Sequence, residues 1–210
     1  MQPGRPRFKT SRTFDAVFLI VLALGLWQAT AYRVAIGDWL FFLSYRPSQE
    51  IVALANRVDY TAEGRRLFYR GNPDVITDGT QRDSLCGQEE FGCLTSAGRI
   101  IIYDPSSDIN SEIVTAAHET LHLAYRRYNA DTRSSVDTQV SQALNLLGDN
   151  PSLQKELSGY TGDDRLDEAH SYIGTEYPAI PLDLEDHYKE YFKDRSLIVT
   201  AYATDPGEPE

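Results

Sequence analysis

The sequence predicts an α+β domain, predominantly helical with one small sheet, preceded by a single N-terminal transmembrane helix. Three observations predict it. Apolar residues recur at helical spacing in several segments between 47 and 192, the run Arg99-Ile-Ile-Ile-Tyr103 reads as a strand, and Ala16 to Tyr32 carries no charge. With 41% hydrophobic and 24% charged residues in 210, the composition is that of an ordinary folding chain. A net charge of −11 argues against a nucleic-acid partner, because neutralising phosphates needs a surplus of Lys and Arg.

The N-terminal elements come first. Arg5, Arg7, Lys9 and Arg12 make 1–13 a basic tail, and 14–33 forms a signal-anchor. Its 17 uncharged residues, 16–32, would span roughly 26 Å of bilayer as a helix. Trp27 and Tyr32 suit headgroup depth. The basic flank predicts a cytoplasmic N-terminus, a single pass through the cell membrane and an extracytoplasmic body. Beyond Arg33 that body holds 15 basic against 30 acidic residues. Ala29-Thr30-Ala31 also fits a cleavable signal peptide, and either form exports the same domain. The apolar stretch 34–45 is too short to cross again and suits the interface, and 46–204 is the exported domain.

Within that domain, Ile51, Leu54, Ala55 and Val58 predict a first helix, and Thr61 caps a second that runs to Arg70. Asp74 to Asp78 reads as a short strand, 79–98 as loop, and Arg99 to Tyr103 as the main strand. A long helix follows from Asn110 or Ser111 to Tyr128, then helices over 136–147, 151–157, 163–173 with Gly174 as its stop, and 182–192. The acidic, Pro-containing end, 205–210, reads as a disordered tail. Cys86 and Cys93 lie in LCGQEEFGCL, a spacing that favours a disulfide in an oxidising compartment over a zinc knuckle.

The long helix carries His118-Glu119-Thr120-Leu121-His122. Histidines four apart share a helix face, so two imidazole nitrogens can meet one Zn²⁺. Glu119 is rotated by about 100° from His118, which places its carboxylate beside the metal, where a general base can take a proton from water. Catalytic zinc sites commonly have three protein ligands. The candidates for the third are Glu168, His170 and Glu176. On a helix through Asp167-Glu168-Ala169-His170, Ala169, His170 and Ile173 share the apolar face with Leu166, and Glu168 points away from it toward a cleft.

HETLH followed by DEAHSYIG resembles the gluzincin metallopeptidases, the thermolysin-like enzymes, over roughly residues 99–176. The resemblance implies a minimal gluzincin-like core and a membrane-anchored, zinc-dependent peptidase acting on a peptide or protein, with one Zn²⁺ per chain. By it, His118, His122 and Glu168 are metal ligands and Glu119 the general base. Two positions depart from the family. The Asp expected four residues past the ligand Glu is Tyr172, so carboxylate support for the first histidine must come from elsewhere, with Glu176 or Asp164 as substitutes. The oxyanion-steadying His has no motif match, and His187, Tyr188 and Tyr191 are available by type only. These gaps leave a rival reading, an exported binding or scaffold domain with a vestigial or structural metal site.

Overall fold

The computed structural model describes residues 33–87, 91–148 and 150–204, together with Phe18. The predicted span 14–33 therefore lies outside the described residues apart from its Phe18 and Arg33, as does the tail 205–210. Among the described residues no helix is long and apolar enough to cross a membrane. The chain divides into two compact units at Arg46/Pro47.

In the first unit, α1 (Arg33–Ser44) covers the short apolar stretch and exposes Val34, Ile36, Trp39, Leu40 and Leu43. The second unit is mostly helical with a three-stranded sheet. It comprises α2 (Gln49–Arg57), α3 (Ala62–Arg70), β1 (Asp74–Ile76), α4 (Gly79–Leu85), β2 (Gly92–Leu94) and β3 (Ile100–Tyr103). There follow α5 (Ile109–Tyr125), α6 (Ala130–Leu147), α7 (Pro151–Glu156) with a 3₁₀ turn over Leu157–Gly159, α8 (Gly162–Glu176), α9 (Leu182–Tyr188) and α10 (Ser196–Ala203).

Side chains start most of these helices. Ser48, Thr61, Asp78, Asp108, Asn129 and Asn150 each accept a hydrogen bond from a backbone N–H of the first turn, which satisfies a donor that the helix itself leaves open. Asn129 explains why α6 starts at Ala130 rather than at Val136, since ADTRSS has a cap but no apolar stripe. The same holds for α4, where a loop was expected: Asp78 caps it and none of its residues is buried. The other half of that expected loop pairs as β2.

The sheet order is β1-β3-β2, with β1 parallel and β2 antiparallel to β3. β3 is central, and Ile100, Ile101 and Ile102 are fully buried. β2 is an edge strand in the register Gly92↔Ile102, Cys93↔Ile101, Leu94↔Ile100, and it packs on α5. Glycine makes this approach possible: a Cβ at Gly92 would collide with Thr115 Cγ2 and Ile101 O and would lie 3.5 Å from Glu119 Cγ.

Against the other sides of α5 lie α3, α8 and α10. Stacked rings of Tyr60 with Phe68 and Phe192 fill the core, and the Tyr60 hydroxyl is bonded to Ala116 O (2.8 Å) and Thr120 Oγ1 (2.7 Å) of α5. Gly174 does not stop α8. It lies where α8 crosses α5, and a Cβ there would be 2.5 Å from Leu121 Cδ1. Beyond it, buried Arg195 donates to Tyr177 O (2.9 Å) just past the helix end, and pairs with Glu185 at 2.6 Å. This cation satisfies carbonyls at the negative end of the helix dipole. The helix α9 ends at Tyr188 instead of Phe192, because Phe192 turns back to bridge Tyr60. The last helix, α10, has no counterpart among the expected elements, because it is apolar nearly all round (SLIVTAYA) and shows no amphipathic period.

Candidate metal centre

The helix α5 carries both histidines one turn apart, and α8 brings Glu168 up to them. Nε2 of His118 lies 3.0 Å from Nε2 of His122, and Glu168 Oε2 lies 3.7 Å and 3.5 Å from these two nitrogens. Three donors on a tetrahedral cation with bonds of 2.0–2.1 Å stand about 3.3 Å apart. The group of two nitrogens and one oxygen could therefore hold a metal ion. Among the described residues it is the one such group of three.

Asp167, next to Glu168 in the chain, places Oδ1 2.7 Å from His122 Nδ1. In the neutral ring this bond puts the proton on Nδ1 and leaves the Nε2 lone pair for a cation. Asp167 is thus the carboxylate support that the sequence reading sought in Glu176 or Asp164, and it acts on the second histidine rather than the first. At the family's Asp position, Tyr172 instead packs edge-on against the His118 ring, with centroids 4.8 Å apart.

The electrostatics favour positive charge here. Burial disfavours a charged His122, but hydrogen bonds to Asp167 and Glu168 and the charges of Glu119 and Asp167 outweigh it and push its pKa up to about 10. Burial likewise works against a charged Glu168, yet hydrogen bonding to His118 and His122 holds its carboxyl well below the usual range.

The group opens into a cleft of about 300 Å³. Its walls include β2, from Gly92 to Leu94, the disulfide-bonded Cys86 and Cys93, Arg126 from the end of α5, Tyr160 just past the 3₁₀ turn, and Asp164 from the first turn of α8. Glu119 lines the same cleft and is 5% exposed, so its carboxylate is largely withdrawn from water.

Other candidates lie elsewhere. His170 is fully buried between the rings of Tyr125, Tyr128, His187 and Tyr188, and neither ring nitrogen has a hydrogen-bond partner among the described residues. Burial keeps that imidazole neutral, well below its ordinary pKa. His170 is therefore a core residue, and Glu176 does not line the cleft. The suggested oxyanion groups belong to the His170 cluster instead. Tyr188 donates to His170 O at 2.6 Å, His187 Nε2 bonds Tyr128 Oη at 2.8 Å, and Tyr191 donates to Tyr128 Oη at 3.0 Å. None of the three lines the cleft. Arg126 and Tyr160, which do, were not singled out from the sequence. Arg126 had a signal there, since it falls four residues after His122 and so continues the row of the two histidines.

No protein-family model, no curated protein and no solved structure matches this chain.

Proposed function

We propose that the chain is a membrane-anchored, zinc-dependent peptidase of gluzincin type, with His118, His122 and Glu168 as ligands and Glu119 as general base. The observation that carries this reading is the convergence of two imidazole nitrogens and one carboxylate on a single point, with an unligated carboxylate in the same cleft. Three protein donors leave a position for water, whereas a closed structural site uses four, which favours catalysis over a scaffold role. Zinc is preferred because two nitrogens and one oxygen are a common catalytic donor set for it. The uncharged segment 16–32 is the proposed bilayer contact, with 46–204 on the extracytoplasmic side, where a disulfide such as Cys86–Cys93 persists.

When bound, the metal supplies Lewis acidity toward water and the substrate carbonyl. The protein does the rest. Glu119 accepts the proton of the attacking water and delivers it to the leaving amine, and its burial keeps bulk water from competing for that proton. Asp167 holds His122 in one tautomer and orientation through its 2.7 Å hydrogen bond. The edge of β2 offers backbone groups along which an extended peptide can lie beside the metal.

The test is Glu119→Gln in the full-length chain in detergent, loaded with zinc. The variant is expected to bind one zinc per chain as the wild type does and to lose peptide cleavage by at least a hundredfold. Normal cleavage by the variant would remove Glu119 from the mechanism. Absence of chelator-sensitive cleavage by the wild type would retire the peptidase reading.

A further inference from the structure

On α5 the residues His118, His122 and Arg126 fall at i, i+4 and i+8, one row along a single helix face. Arg126 is the residue that ends the helix, and it lines the same cleft as the two imidazoles. Its Nη1 donates two long hydrogen bonds, 3.4 Å to Leu94 O and 3.3 Å to Thr95 O, at the far end of the edge strand β2. Among the described residues this guanidinium makes no ion pair. The acids of the cleft nearest the histidines are engaged elsewhere: Asp167 with His122, and Glu168 with both imidazoles.

A guanidinium has five N–H donors in a planar fork that matches a carboxylate. Two stretched bonds to carbonyls occupy a small part of that capacity, and neither neutralises the charge. Among the described residues every other charged side chain lining the cleft, apart from the histidines, is an acid: Glu119, Asp164, Asp167 and Glu168. A substrate that carried its own carboxylate would be repelled by these groups except at Arg126.

We infer that Arg126 is a specificity-determining residue that binds a carboxylate of the peptide substrate, close to the bond that is cut. The inference rests on the peptidase reading of the cleft and names the substrate class. Four residues separate Arg126 from His122, about 6 Å along the helix axis, which an extended peptide covers in about two residues. The carboxylate therefore belongs to a residue within about two positions of the scissile bond. Its source is either an acidic side chain or the free C-terminus of a short peptide.

The experiment uses the full-length, zinc-loaded protein and a peptide mixture randomised around a central position, read by mass spectrometry. Matched pairs follow: Glu against Gln within two residues of the cut site, and a free C-terminus against its amide. Wild type is expected to favour the carboxylate member of one pair by about ten- to a hundredfold in kcat/KM. A Glu/Gln preference identifies the side chain, and a free-acid preference identifies the terminus. Arg126→Gln should bring the ratio to about one with zinc content retained, and Arg126→Lys should keep part of it. No carboxylate preference in wild type, or a preference that survives Arg126→Gln, overturns the proposal.

Binding separates this result from failure of the peptidase reading. The same dye-labelled peptide pairs are titrated onto zinc-loaded Glu119→Gln, with and without Arg126→Gln, and followed by fluorescence anisotropy. Carboxylate-selective binding that depends on Arg126, without any cleavage by wild type, would leave the carboxylate site standing and retire the peptidase. Equal binding of both members of each pair would overturn the carboxylate site.

Discussion

Asp167 Oδ1 lies 2.7 Å from His122 Nδ1, so the residue that precedes Glu168 steadies one of the two imidazoles that Glu168 faces. One turn of α8 thus supplies both an oxygen donor and the hydrogen-bond acceptor that orients a nitrogen donor. Carboxylate support of this kind commonly contributes tenfold to a hundredfold in metal affinity. Asp167→Ala should weaken zinc binding by that factor, measured by competition with a chromophoric chelator. Unchanged affinity would mean that the hydrogen bond orients nothing.

The two neighbouring candidates for the third donor separate by burial. Glu168→Ala is expected to lower metal affinity at least a hundredfold, since it removes a donor outright. His170→Phe should retain the wild-type affinity within about threefold, because the imidazole lies among aromatic rings and bonds to nothing among the described residues. A collapse of zinc binding in His170→Phe, with the fold intact by circular dichroism, would reverse the assignment.

The edge strand depends on one missing side chain. In Gly92→Ala the new methyl group meets the Thr115 side chain and the Ile101 carbonyl, and the carbonyl cannot move without shifting the sheet. Overpacking of this kind costs about 1–3 kcal/mol. The variant should show a lowered midpoint of thermal unfolding. It should also cleave less, as β2 is displaced from Glu119.

Stability should depend on pH through Glu112, in the first turn of α5. Burial, then hydrogen bonding to and repulsion by Asp104, raise its pKa to about 7 from 4.5, with Arg57 opposing. The folded protein therefore holds a proton that the unfolded chain releases between those values. Stability from this group is fully present below about pH 4.5 and is lost as pH rises through about 7. Partial exposure of Glu112 reduces the expected loss to about 1 kcal/mol. Glu112→Gln should flatten this part of the stability curve between pH 5 and 8, followed by urea unfolding, and should be more stable than wild type at pH 8.

The parts of the site legible in the sequence were those fixed within one element. The spacing of His118, Glu119 and His122 on a helix determines their relation whatever the surroundings, and helix rotation alone separates Glu168 from His170. The support from Asp167 was not legible, because which imidazole it meets depends on the way α8 crosses α5. That crossing is set where Gly174 meets Leu121, a residue inside the motif that carries none of its chemistry. His187, Tyr188 and Tyr191 were suited to the oxyanion role by chemistry, but their location follows from the return of Phe192 to Tyr60, a contact across 132 residues of sequence. In the fold, long amphipathic helices and the isoleucine strand declared themselves. Short elements held by a single cap, such as α4, or by pairing to a stronger neighbour, such as β2, did not.

Because the donors come from α5 and α8 alone, a cation at their meeting point ties together two positions, His122 and Glu168, that are 46 residues apart. The intervening chain becomes a closed loop for as long as the ion stays. Stripping the ion would free that loop at its base, so the seam between these two helices is where the molecule should first breathe. The protein's resistance to proteolysis would then track the supply of the ion.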